Sequence, residues 1–325
     1  MSPGGEVSVA ELFRVLAPVY TDRMIRSIDA RPFEYATSFR LAVVTVDFDH
    51  GERDVLVMKD FDPARMLPGA RRHRAGRPTS PRREIDVYRH VLAPAGIGPR
   101  CLATVADPTR LRYWLFIEKI VGVELWQVGD PEVWAAVASW LGNTHRSFSG
   151  RHAHLSRWLP VLDKEWFGAW HRRAVAALGE SVDPRARELR TVLDRGGVAD
   201  RLAERLAAMP GTLAHGELYP SNVMVGVSDV EAGAADVRVV PIDWETAALG
   251  PPMLDLAALS TGWDAPTRAR LGEAYGPTFD PSALACCRLH LALRWIAVSA
   301  GWNPPAAHRQ DWIGEALQIA DEVAA

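Results

Sequence analysis

At 325 residues the chain exceeds what one small core usually holds, so two lobes are expected. Hydrophobic residues at 48% and charged residues at 24% give an ordinary globular composition, and a net charge of -3 supplies no positive field for nucleic acid or a membrane surface. No apolar run nears the roughly 20 residues of a membrane helix, the start "MSPGGEVSVAELF" lacks a secretory pattern, and Cys101, Cys286 and Cys287 include no CxxC pair, so neither a zinc site nor a disulfide framework is supported and a reducing cytoplasm is the expected location.

From Phe39 to Phe48, Ala42, Val44, Val46 and Phe48 alternate with the other positions and predict a half-buried strand. Asp49, His50 and Gly51 supply a turn, and "DVLVMKD" reads as the returning strand, with Lys59 near its end. An Arg-rich loop, Arg71 to Arg83, follows; it lacks interleaved aromatics and reads as a solvated charge run. Ser80 and Pro81 then predict an N-cap and first helical position, with Ile85, Tyr88 and Leu92 as the apolar stripe and Glu84 on its flank. "RYWLFIEKI" predicts a strand ending at Gly122. The N-terminal third thus reads as strands with one helix.

Beyond Gly122 the pattern turns helical. Asp130 and Pro131 predict a helix with Trp134, Val137, Leu141 and His145 on one face. Asp183 and Pro184 predict another, with Leu189, Val192 and Leu193 inward. "CRLHLALRWIAVSAG" is apolar nearly all round, the mark of a buried helix. Two short strands are expected around Val223 to Val227 and Val237 to Ile242, forming a hairpin. The expected organisation is residues 1–117 as an N-terminal lobe, 118–122 as a hinge and 123–325 as a helical lobe.

The chemistry concentrates at that hairpin. His215, Glu217 and Asn222 precede its first strand, and Asp243 and Glu245 follow its second. An amide oxygen and a carboxylate are hard ligands suited to Mg²⁺. Lys59 is placed to hold phosphate oxygens and Glu84 to hold Lys59, with Asp86 the rival for that role. Such parts are what phosphoryl transfer requires, since positioning and charge stabilisation carry the reaction.

"HGELYPSN" and "IDWE" are similar to the HGDxxxxN and IDxE stretches of the aminoglycoside phosphotransferase and choline kinase family. "LVMK" resembles its strand lysine, "REIDVY" its helix glutamate, "FIEKI" its hinge, "LGNTH" the helix after it and "PPMLDLA" its Asp-Leu-Ala element. The resemblance implies an α+β, two-lobed protein-kinase-like fold: an antiparallel sheet lobe with one helix, then a larger, mainly helical lobe. It implies ATP and Mg²⁺ as cofactors and a small-molecule hydroxyl as phosphate acceptor, with no nucleic-acid or membrane partner. Lys59 would bind the α- and β-phosphates, Glu84 would position Lys59, and the backbone of Glu118 and Ile120 would hold adenine. Asn222 and Asp243 would ligate the metal, His215 and Asp255 would brace the catalytic loop, and Glu245 would contact the acceptor or a second metal. No GxGxxG precedes Lys59, where "TSFRLAVV" stands, and no GxxxxGK[ST] is present.

Glu217 departs from the pattern, which has Asp as the base that accepts the hydroxyl proton. The extra methylene moves the carboxylate by roughly an ångström, a displacement that can cost on the order of a hundredfold in rate. Two further readings follow from that departure, a nucleotide-binding pseudokinase and a nucleotidyl-transferring relative. The acceptor would be held by the segments from Gly262 onward, where Asp264, Asp280 and Asp311 are acidic candidates; Trp126, Trp263 and Trp302 are the aromatic candidates for lining its pocket. Arg268, Arg270, Arg288, Arg294 and Arg309 are mixed among those acids, which disfavours a polycationic aminoglycoside.

Overall fold

The computed structural model of the chain describes residues 7–33, 38–67, 80–226, 237–299 and 310–324. It divides into two compact units, Met1–Val121 with Val240–Glu245, and Gly122–Val239 with Thr246–Ala325. Asp243 and Glu245 therefore belong with the N-terminal sheet, although residues Gly122–Val239 of the helical unit separate them from it in sequence.

The first unit is built on five antiparallel strands: β1 (Ile25–Pro32), β2 (Arg40–Phe48), β3 (Arg53–Asp60), β4 (Cys101–Asp107) and β5 (Arg112–Glu118), in the order β1-β2-β3-β5-β4. The β2–β3 hairpin forms where Asp49–Gly51 predicts it, with Lys59 opposite Leu41. Helix α1 (Val9–Leu16) is a second helix beyond the one expected. It starts with a reciprocal cap between Ser8 and Glu11, the Ser-x-x-Glu spacing of a capping box. Leu12 and Leu16 of α1 pack with Tyr20 against Val44, Val46, Phe48, Leu56, Met58, Trp114 and Phe116. Because strand side chains alternate, Leu56 and Met58 on that face send Val57 and Lys59 to the other. There Lys59 meets Glu84 of helix α2 (Arg83–Val87).

Two boundaries differ from expectation. Helix α2 begins at Arg83, because Ser80 instead closes a turn, accepting from Arg83 N at 3.0 Å through its carbonyl and from Arg82 N at 3.3 Å through Oγ. The helix then widens into a π-type segment over Tyr88–Leu92, where the Ala93 amide reaches back to Tyr88 O. Ile85, Tyr88 and Leu92 are buried as the stripe predicts. Strand β5 ends at Glu118 rather than Gly122, since Lys119 N turns to Val55 O. Of the Arg-rich loop, residues 71–79 lie outside the described residues.

The second unit is helical. It contains α3 (Pro131–Phe148), α4 (Lys164–Glu180), α5 (Pro184–Asp194), α6 (Val198–Ala208), α7 (Met253–Leu259), α8 (Ala265–Tyr275), α9 (Pro281–Ser299) and α10 (Trp312–Ala324). Asp130 caps α3, accepting from Glu132 N at 2.9 Å, and Trp134, Val137, Leu141 and His145 are buried. On α5, Leu189 and Leu193 face the core and Val192 is half-buried. The all-round apolar α9 packs against α4, α7 and α10. Short strands pin the loop between them: β6 (Val123–Glu124) pairs with β8 (Val223–Val225), and β7 (Thr212–Ala214) with β10 (Ala248–Gly250). Gly122 lies so close to β8 that a Cβ there would sit 2.2 Å from Val225 O, so only glycine fits. A further short strand, β9 (Val239–Pro241), leads into Asp243. Residues 227–236, which join β8 to β9, lie outside the described residues. Among the described residues no helix is long and apolar enough to cross a membrane.

Candidate functional site

Lys59 is buried in the first unit, and its ammonium donates to Glu84 Oε1 at 2.6 Å and to Asp243 Oδ1 at 2.9 Å. Glu84, not Asp86, is the helix partner; Asp86 pairs with Arg82. Burial alone would lower the Lys59 pKa, but the Asp243 and Glu84 carboxylates outweigh it and hold it well above its ordinary value. Burial pushes the Glu84 carboxyl up, and Lys59 counters this only in part. Asp243 sits at φ +65°, a left-handed conformation that costs a non-glycine residue about 1 kcal/mol or more and clusters at functional sites.

These residues suit a divalent cation. Ligand oxygens of Glu84, Asp243 and Glu245 lie within 4.8 Å of one another. Glu84 Oε2 is buried without a hydrogen-bond partner. A cavity of about 30 Å³, lined by residues including Phe61, Met66, Glu84 and Glu245, adjoins the cluster. That is space for an ion or water rather than an organic ligand. Three carboxylate oxygens form a hard donor set, the kind Mg²⁺ prefers. At the expected hinge, the Glu118 amide donates to Arg100 O at 2.9 Å and its carboxylate accepts from Arg100 N. Ile120 follows in irregular, partly buried chain.

In the second unit the loop His215–Asn222 is braced from α7. Asp255 accepts from His215 N at 2.7 Å and Gly216 N at 2.9 Å, and His145 Nε2 lies 3.2 Å away. His145 Nδ1 in turn meets Tyr275 OH at 2.9 Å. Asp255 is buried, which alone would raise its pKa. The His145 hydrogen bond and charge, His215 and the loop amide reverse this and lower it. Gly216, at φ +82°, passes so close to Thr246 O that a Cβ would lie 2.7 Å from it. His215 Nδ1 accepts from Glu217 N at 3.3 Å, so the ring serves the loop itself, and Asp255 is its anchor. Asn222 Nδ2 donates to Glu217 O at 2.9 Å, which leaves the amide oxygen as the end a cation would meet.

Glu217 itself is half-exposed and paired with Arg294 of α9, which also donates from Nη1 to Gly216 O at 2.9 Å. In the sequence Arg294 stands only among mixed charges. Its signal is an arginine within a helix apolar nearly all round, a residue that needs a partner when buried. His145 and Tyr275 were likewise unassigned. The acidic acceptor candidates prove to be helix caps: Asp264 accepts from Thr267 N, Asp280 from Ser282 N and Ala283 N, and Asp311 from Gly314 N. Trp263 packs edge-on to Trp134 at 5.0 Å, and Trp126 is exposed beside Glu124. Trp302 and Arg309 lie outside the described residues.

With this geometry in place, a family profile described as the phosphotransferase enzyme family matches residues 48–290. The chain belongs to that family. Among solved structures it is similar to the choline kinase LicA from Streptococcus pneumoniae, at 12% identity, 96% of this chain and 97% of that one covered, and a TM-score of 0.56. An aminoglycoside phosphotransferase from Alicyclobacillus acidocaldarius is 16% identical over 99% of this chain and 95% of its own, with a TM-score of 0.57. A spectinomycin phosphotransferase in complex with ADP and spectinomycin is 13% identical over 99% of each chain, also at 0.57. These likenesses show the α+β kinase-like fold. No protein of curated function matches the chain in sequence.

Proposed function

We propose that the protein transfers the γ-phosphoryl group of ATP, with Mg²⁺, to a hydroxyl of a small molecule. The observation that carries this is the buried ammonium of Lys59 held between Glu84 and Asp243. Each unit carries its own part of the machinery. In the first, Lys59 would hold phosphate oxygens, Glu84 would fix Lys59, and Asp243, with Glu245 beside it, would ligate the metal. The Glu118 amide is engaged by Arg100, so Ile120 and the Glu118 carbonyl are the backbone groups assigned to adenine. In the second, Asn222 would offer its amide oxygen to the metal, and Asp255 and His215 would keep the loop in shape. The metal, when bound, would offset the charge that develops on the phosphate oxygens. The acceptor oxygen bonds to the γ-phosphorus as the bond to the β–γ bridging oxygen breaks. ADP leaves, and the hydroxyl proton passes to a Glu217 carboxylate oxygen. That several similar structures hold AMP, ADP or GDP supports the nucleotide half of the reading.

A second reading, a nucleotide-binding pseudokinase, draws on the pairing of Glu217 with Arg294, which occupies the carboxylate. Calorimetric titration of ATP with and without Mg²⁺, on the wild type and on Asp243→Asn, tests the common part. Asn accepts the left-handed backbone of Asp243 while removing its charge. Metal-dependent binding that disappears in the variant supports the site; a well-folded wild type that binds no Mg·ATP refutes both readings. Phosphate transfer to a screened acceptor then separates enzyme from pseudokinase.

A further inference from the structure

The partner of Glu217 bears on what the loop can accept. Arg294 presents Nη1 to Gly216 O at 2.9 Å and Nη2 to the Glu217 carboxylate, so one planar fork fixes both the loop backbone and its acidic side chain. The guanidinium also lies over the ring of Trp170 of α4, 5.7 Å from its centroid. Burial opposes its charge, but Glu217 and Tyr219 more than compensate, so Arg294 stays protonated. Around the pair stand flat faces. Trp295 Nε1 donates to Tyr219 OH at 2.8 Å, and Trp295 stacks on Trp312 with centroids 5.7 Å apart and planes 9° from parallel.

A bare carboxylate beside aromatic faces attracts cations. Here the carboxylate is already neutralised by a fixed cation, and a second positive charge would meet Arg294 first, a like-charge juxtaposition that disfavours binding. Nor do the helices beyond Gly262 supply spare acids nearby through their caps, since Asp264, Asp280 and Asp311 are committed to backbone amides. We propose that Arg294 is a specificity-determining residue: it positions and neutralises Glu217, so the site takes an uncharged hydroxyl compound with a flat or apolar face and turns away polycations and quaternary ammonium compounds. This rests on the phosphotransferase reading above. It also accounts for Glu in place of Asp, because the longer side chain is the one seen reaching the α9 guanidinium.

The test titrates kanamycin and choline calorimetrically against wild type, Arg294→Gln, Arg294→Lys and Arg294→Gln combined with Glu217→Gln, with folding checked by circular dichroism. The expected result is no measurable binding by wild type or Arg294→Lys. Arg294→Gln should gain at least about tenfold in kanamycin affinity, and the double variant should lose that gain. Micromolar binding of either cation by wild type, or a folded Arg294→Gln that gains nothing, overturns the inference. Should Arg294→Gln not fold, Glu217→Gln gives the reciprocal measurement. Its unmasked guanidinium should gain about tenfold for 4-hydroxybenzoate, and no gain overturns the inference equally. Mg·ATP titrated against the wild type separates the two levels. No ATP binding removes the parent reading, whereas ATP binding together with cation binding removes this one alone.

Discussion

Replacing Lys59 with Met should be among the most damaging single changes in the first unit, and the geometry says how damaging. The ammonium lies 2.6 Å from Glu84 Oε1, where the Glu84 side chain is 1% exposed, and 2.9 Å from Asp243 Oδ1, where Asp243 is 33% exposed. At an effective dielectric of about 20, a pair at the first distance attracts by roughly 6 kcal/mol, most of it offset by the cost of burying both charges. What truncation removes is the compensation while leaving Glu84 buried, a loss of about 3–5 kcal/mol. The Asp243 contact is screened by solvent and adds about 1 kcal/mol or less. Lys59→Met should therefore lose about 3–5 kcal/mol, Glu84→Gln somewhat less because Lys59 keeps Asp243, and Asp243→Asn about 1 kcal/mol or less. The penalty should also depend on pH. Burial already raises the Glu84 pKa above its ordinary value of 4.5, and without Lys59 it rises further. A carboxyl raised in the folded state binds its proton more tightly there than in the unfolded chain. The variant is thus relieved at low pH and loses stability as pH climbs through the raised pKa. Urea denaturation at pH 5 and pH 8 reads both effects. A Lys59→Met protein within about 1 kcal/mol of wild type at pH 8, with no change on acidification, would refute the buried-pair argument.

Glu217→Asp should lower phosphate transfer to an identified acceptor by about 10- to 100-fold, because the carboxylate is drawn back from both the acceptor and Arg294; an increase in kcat would mark Glu217 as an impairment. Asp255→Asn should destabilise the second unit by about 2–4 kcal/mol, since His215 N, Gly216 N and His145 lose a buried charged acceptor; a shift under about 1 kcal/mol in thermal unfolding would remove Asp255 as the anchor. The wild type should weaken in mild acid through the buried pair His171 and His290, whose rings meet at 3.0 Å. Burial lowers the His171 pKa from 6.5 to about 4, and burial likewise holds His290 well below its ordinary value. The unfolded chain takes up protons below about pH 6.5 that the folded imidazole refuses until about pH 4. Stability should therefore fall by about 1.4 kcal/mol per pH unit across that window through His171, with His290 adding a loss of the same sign. Denaturation midpoints that stay level between pH 7 and 4.5 would contradict this.

Much of the architecture was legible because local signals suffice for it. The alternation from Phe39 to Phe48 gave β2, the turn at Asp49–Gly51 gave the hairpin, and Asp130–Pro131 gave the start of α3 with its buried stripe. Strands β1 and β4 escaped because "IRSIDARP" and "CLATVAD" carry few strand-forming residues in alternation, and tertiary pairing overrides weak propensity. Helix α1 could have been found from its Ser8–Glu11 box.

The sequence by itself determined which residues are candidates for the chemistry. Lys59, Glu84, Glu217, Asn222 and Asp243 stand at positions whose order and spacing match a phosphotransferase, and strand alternation sends Lys59 to the face away from α1. What only the tertiary structure decided is whom those residues meet. Glu217 and Arg294 are 77 residues apart, and Lys59 and Asp243 are 184 apart. Residue periodicity reports which face of an element is apolar, but carries no term for the partner that burial brings to a charge. The left-handed backbone of Asp243 and the brace from Asp255 to the loop arise from packing, whereas the caps of Asp264, Asp280 and Asp311 are local contacts two or three residues long. A buried charge must find its counter-charge wherever the fold supplies one.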